Sequence, residues 1–164
     1  MQTQDLISCF QVVEDAIKLY NLNPKDAIGE QAGIWNLTKG RAQTRIMVWQ
    51  NQETGIPYVR VVCPVVAIPN DYKNYDLLNE FLEMNAHYIG VKFVRSENSI
   101  LLGVDKEMVN VDSKEMFTMI DRVLNVGAIE IPRLEEKYSN SIKEYIEANP
   151  SSISNANTAA PQMA

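Results

Sequence analysis

The chain has 164 residues, enough for one domain with a sizeable core, and its 46% apolar and 22% charged content excludes wholesale disorder. A net charge of −6, with Lys and Arg residues scattered and never adjacent, offers no phosphate-neutralising surface, so no nucleic-acid partner is expected. No stretch approaches the roughly 20 apolar residues of a membrane span, and the N-terminus MQTQDLISCFQVVEDAIKLY lacks the basic start of a secretory signal, so a cytoplasmic location away from membranes is expected.

Residues 4–21 place Leu6, Phe10, Val13, Ile17 and Tyr20 at three- and four-residue spacing, with Glu14, Asp15 and Lys18 between them, as in an amphipathic helix. Asn21 to Pro24 ends it, because the residue before a proline is pushed out of the helical region. Ile34–Leu37 reads as a short strand and Thr38–Gly40 as a turn. Over Arg41–Trp49, polar Arg41, Gln43 and Arg45 alternate with Ala42, Thr44, Ile46 and Val48, the pattern of a half-buried strand. Its wet face ends in Met47 and Trp49, apolar where solvent is expected. Asn51–Gly55 supplies a hairpin loop closing on glycine.

Ile56–Ile68 differs in kind. Val59, Val61, Cys63 and Val65 share one face, while Tyr58, Val62, Val66 and Ile68 fall mostly on the other, which predicts a central strand covered on each side. Pro64 donates no ladder hydrogen bond and predicts a bulge or bend. Tyr72–Ala86 is predicted helical, with Tyr75, Leu78, Phe81, Leu82 and Asn85 on one face and Asp71 and Asp76 near its N-terminus. Tyr88–Val94 and Ser99–Val104 read as strands joined by Arg95–Asn98. Asp112, with Glu115 three residues on, predicts a capped helix whose stripe is Met116, Met119, Ile120, Val123 and Leu124. Pro132 either kinks that helix or starts another, carrying Ile131, Leu134, Tyr138, Ile142 and Tyr145. Beyond Pro150, SSISNANTAAPQMA is small and polar and predicts disorder.

The usual site chemistry is missing. There is no phosphate-binding P-loop, no Gly-x-Gly-x-x-Gly turn and no Gly-x-Ser-x-Gly elbow. The single histidine, His87, excludes zinc sites of two or three imidazoles and reads as a helix-end group capping carbonyls. Cys9 and Cys63 lie in apolar patterns without a Cys-x-x-Cys pair and read as buried thiols of a reducing compartment. Glu80 with Glu83, or Asp71 with Asp76, form close carboxylate pairs. With 21 acidic residues such pairs arise by composition, and a solvated face is the simpler reading. No catalytic residue, metal ligand or cofactor is assigned, and the chain is read as a non-enzyme.

Arg41, Arg45 and Arg60 gather if their strands pair, either as solubilising charge or as a seat for an anion or an acidic peptide. Together with Met47, Trp49 and Tyr58 they make the candidate partner-binding face. It has aromatic anchors inside a polar rim, provided no helix covers it.

In chain order the expected fold is α+β: helix, three-stranded antiparallel meander, crossover helix, two-strand hairpin and C-terminal helix. This order resembles the YbjN-type domain, an uncharacterised family that shares its fold with the class I chaperones of type III secretion. The resemblance rests on IWNLTKGRAQTRIMVW, VRVVCPVVAIP, LLNEFLEMNAHY and VKFVRSENSILLGVD, and covers residues 4–128. It implies a domain that often forms homodimers and binds rather than catalyses, and it supplies no catalytic residue. Chaperone relatives hold an extended peptide, which here implicates Arg41–Trp49 and Ile56–Ile68. The expected organisation is a YbjN-like domain at 1–131, a helical extension at 132–149 and a disordered tail at 150–164. The expected function is a chaperone- or adaptor-like homodimer with a protein or peptide partner. The alternatives are a regulatory or structural dimer without a peptide client, whose extension covers the face, and a small-molecule binder.

Overall fold

The computed structural model describes residues 5–69 and 71–149. Period-two alternation produces five strands, β1 (Ile34–Lys39), β2 (Ala42–Gln50), β3 (Pro57–Ala67), β4 (Lys92–Ser96) and β5 (Ser99–Glu107). They form one sheet in the order β1-β2-β3-β5-β4, every pair antiparallel. The helices are α1 (Leu6–Lys18), α2 (Pro24–Ala27), α3 (Tyr75–His87) and α4 (Ser113–Ala148). The result is an α+β fold with the crossover helix and C-terminal helix the sequence predicts.

The helix starts are chemically specified. Asp5, Asn74 and Asp112 each turn a side-chain oxygen onto a backbone N–H three residues on, at 2.7, 3.0 and 2.8 Å respectively. Each satisfies one of the amides that a helix start leaves without a partner. Asp112 is the cap expected from sequence, whereas α3 begins later than expected and on Asn74.

One face of the sheet carries the core. Ile46, Val59, Val61, Cys63 and Leu102 are fully buried against Val13 and Ile17 of α1 and Met116, Ile120 and Val123 of α4. Gly127 lets α4 approach closely, since a Cβ there would stand 3.0 Å from the Ala42 Cβ and 3.3 Å from the Cys63 Sγ. Over β4, α3 packs Leu77, Phe81 and Met84, with Phe81 stacked on Phe93 at 5.5 Å.

Four details differ from the sequence reading. First, β3 is central and shifts register between Pro64 and Val66, as Pro64 predicts, but the helices cover only one of its faces. Second, the buried face of α3 is Leu77, Phe81 and Met84, while Tyr75 and Leu82 stay 75% and 67% exposed. The apolar pattern of that segment is broad enough to fit two faces, and packing selects one. Third, of the two alternatives at Pro132, the start of another helix does not occur. The helix α4 runs through it for 36 residues, about 54 Å, because Ile131, Leu134, Tyr138 and Ile142 remain buried on the same side. Fourth, the chain closes β4 on β5 through only Glu97 and Asn98, with Glu97 at φ 35°. The expected disorder at 150–164 lies outside the described residues.

The two sheet edges are unequal. The Asn85 side chain of α3 accepts the Phe93 N–H at 2.7 Å and donates to the Phe93 carbonyl at 3.0 Å, occupying the outward backbone groups of that residue in edge strand β4. On the far edge, Gly29 donates to the Ile34 carbonyl in an antiparallel bridge of Ile28 to Trp35, which covers the start of β1.

Candidate protein-binding face

Strand alternation sends Arg45, Met47 and Trp49 of β2 to the face that α1, α3 and α4 leave open. The register then sets them beside β3 residues of the same orientation, Arg45 opposite Val62, Met47 opposite Arg60 and Trp49 opposite Tyr58. The rows continue into β5, with Arg60 opposite Asp105, Val62 opposite Gly103 and Tyr58 opposite Glu107.

These neighbours lock one another. The Trp49 and Tyr58 rings stack at 5.9 Å with a 22° tilt, and the Arg60 guanidinium lies 5.6 Å from the Trp49 ring centre. Asp105 grips the other side of that guanidinium at 2.6 and 3.1 Å, the two-point geometry that suits arginine and carboxylate. Its hydrogen bond to Asp105 holds the Arg60 pKa above the ordinary value. Tyr58 donates to Glu107 at 3.0 Å, and that bond raises its phenol pKa. The aromatic pair and Arg60 are thereby preorganised, with little rotamer freedom left to lose on binding.

Five of the six sequence candidates thus share a surface: Arg45, Met47, Trp49, Tyr58 and Arg60. Arg41 stands apart, at the start of β2, where it forms an ion pair with Glu135 on the helical side. Sequence reasoning missed the neighbouring hollow of about 550 Å³, lined by Val62, Lys92, Val94, Leu101, Gly103 and Asp105 among others. The legible signal was Gly103, a glycine inside a strand, which marks a bulge or a close backbone approach.

Elsewhere the titratable groups are engaged structurally. Glu80 of α3 is only 14% exposed and accepts from Arg133, Lys137 and Tyr138 of α4. Burial would raise its carboxyl, yet these three donors outweigh burial and hold it at about 2. It is therefore a helix-to-helix clasp rather than a solvated surface acid. Beside it, Tyr88 donates to buried Glu130, and burial together with that carboxylate pushes the phenol to about 12. His87 is exposed and sits edge-on to Tyr88 at 5.2 Å. Cys9 and Cys63 are free and buried, and burial raises both thiols, which disfavours the nucleophilic thiolate. Among the described residues no group of three or more His, Cys, Asp or Glu side chains is placed to hold a metal ion, and no helix is long and apolar enough to cross a membrane.

No family model and no curated protein matches the sequence. Among solved structures, the chain resembles a chain of the heterodimeric ExoU–SpcU complex from the type III secretion system of Pseudomonas aeruginosa. The TM-score is 0.52 at 10% identity, over 73% of this chain and 94% of that one. A chain of the ExsC–ExsE complex aligns with a TM-score of 0.47 at 8% identity, over 74% of this chain and 90% of that one. At such identity the likeness concerns the fold, which is α+β and of the secretion-chaperone type.

Proposed function

We propose that the chain is a non-enzymatic, chaperone- or adaptor-like module that holds a protein or peptide partner on its open sheet face. One observation carries this reading. Strands β2 and β3 turn a preorganised Trp49–Tyr58–Arg60 group, with Met47 and Val62, toward solvent while α1, α3 and α4 pack on the opposite side. Rigid aromatic and arginine anchors are the residues that dominate binding energy at protein interfaces. Kinship with YbjN-type domains and a cytoplasmic setting belong to the same reading, as does action as a homodimer. The dimer is supported by Tyr75 and Leu82, seven residues apart on α3 and exposed at 75% and 67%, with Ile89, 85% exposed, just beyond the helix end.

Two measurements test it. A photo-crosslinking residue at position 62 is expected to capture a protein partner in the native cytosol, and one at position 114 on α4 is not. Equal capture at both positions, or none at 62, sinks the binding face. Sedimentation velocity is expected to return a dimer that Leu82→Glu converts to a folded monomer. A wild-type monomer at every accessible concentration ends the dimer.

A further inference from the structure

The charged residues of the open face divide into those already used and those left over. Arg60 is held by Asp105, and Glu107 accepts from Tyr58. Arg45 reaches only the Asn36 side chain at 3.4 Å, and Arg45 and Lys92 have no carboxylate partner among the described residues. Both stand on the open face of a chain of net charge −6.

The register puts both cations in a single row. Arg45 of β2 lies opposite Val62 of β3, Val62 opposite Gly103 of β5, and Gly103 opposite Lys92 of β4. Strands sit about 4.8 Å apart, so Lys92 is one strand from Gly103 and Arg45 is two strands from it, about 10 Å. Between them lies the hollow, floored by Gly103 and walled by Val62, Leu101 and Val94. Its floor is fixed by backbone, because a Cβ on Gly103 would stand 2.7 Å from the Val61 carbonyl oxygen. The row therefore reads cation, apolar wall, hollow, cation.

Resting on the binding role proposed above, we infer that this row selects the partner. It takes an extended acidic segment that seats one large apolar side chain over Gly103 and presents carboxylates to Lys92 on one side and Arg45 on the other. An extended chain advances about 3.3 Å per residue and returns to the same face at every second residue, so the carboxylates fall about two residues from the anchor on one side and about four on the other. The chain's overall negative charge repels other acidic segments, which makes the local match a matter of specificity as much as of affinity.

The probe is a fluorescein-labelled peptide with the core Glu-Thr-Leu-Thr-Thr-Thr-Glu, made in both sequence directions and read by fluorescence anisotropy against the full chain. Controls replace both Glu by Lys, or the Leu by Ala. One direction of the acidic peptide is expected to bind about tenfold tighter than its lysine counterpart, with the gap shrinking as salt rises. The Ala control is expected to bind about tenfold more weakly. Arg45→Glu with Lys92→Glu breaks no ion pair among the described residues, so the double variant is expected to fold and to invert the charge preference. Equal affinity for the acidic and basic peptides overturns the inference, as does a double variant that keeps the wild-type order, an Ala control that binds as well, or no binding by any peptide. If position 62 still crosslinks while the peptides fail, the charge-and-anchor selection is wrong and the binding face stands. Loss of both removes the face itself.

Discussion

Replacing Glu80 by Gln removes one negative charge from the clasp between α3 and α4 while keeping its volume and its acceptor for Tyr138. The wild-type carboxyl is held at about 2 against an ordinary 4.5. Taken whole, that shift corresponds to about 3 kcal/mol of stabilisation by the ionised form. Arg133 and Lys137 are 43% and 56% exposed, so solvent screening lowers the expected figure to about 2 kcal/mol. The folded pKa is the depressed one, so this contribution is complete above the unfolded value of 4.5 and drains away as pH falls toward 2. Urea denaturation followed by circular dichroism is the assay. The gap between wild type and Glu80→Gln is expected to be about 2 kcal/mol at pH 7 and less than half of that at pH 3. A gap below about 0.5 kcal/mol at pH 7, or one unchanged at pH 3, refutes the clasp as a charge-dependent device.

Three further substitutions probe the frame. Pro132→Ala restores an N–H and removes a steric clash inside α4, and is expected to stabilise the chain by about 2 kcal/mol in the same denaturation assay. Gly127→Val drives two methyl groups toward Ala42 and Cys63 and is expected to destabilise by about 2 kcal/mol or more, seen as a lowered Tm in calorimetry. Asn85→Ala leaves the outward N–H and C=O of Phe93 without their protein partner and is expected to cost about 2 kcal/mol. Static light scattering on Asn85→Ala is also expected to show association beyond the wild-type dimer.

Much of the frame was legible because local signals agreed. Alternation located β2 and β3, Pro64 announced the register shift, and Asp112 announced the start of α4. What stayed hidden depended on residues far apart in the chain. Glu80 looked like one surface acid among many because its partners Arg133, Lys137 and Tyr138 lie more than fifty positions away. The α3 pattern of Tyr75, Leu77, Leu78, Phe81, Leu82 and Met84 fits two overlapping stripes, and only docking over β4 decides between them. The continuity of α4 through Pro132 follows from burial on both sides of the proline, which no rule about proline encodes. On the candidate face, five residues were found by parity along two strands. The hollow needed the β3–β5 and β5–β4 registers, which join β3 to segments some forty residues downstream.

A sheet with two bare rims is a tile that can be laid end to end without limit, since each added copy brings a fresh rim with it. The Asn85 amide makes this molecule one-sided, because the β4 rim already has its hydrogen bonds to Phe93 made from within the chain. A second copy that joins at β4 has to displace both Asn85 hydrogen bonds first, so the proposed pairing is left to the exposed Tyr75 and Leu82 of α3 rather than to extension of the sheet.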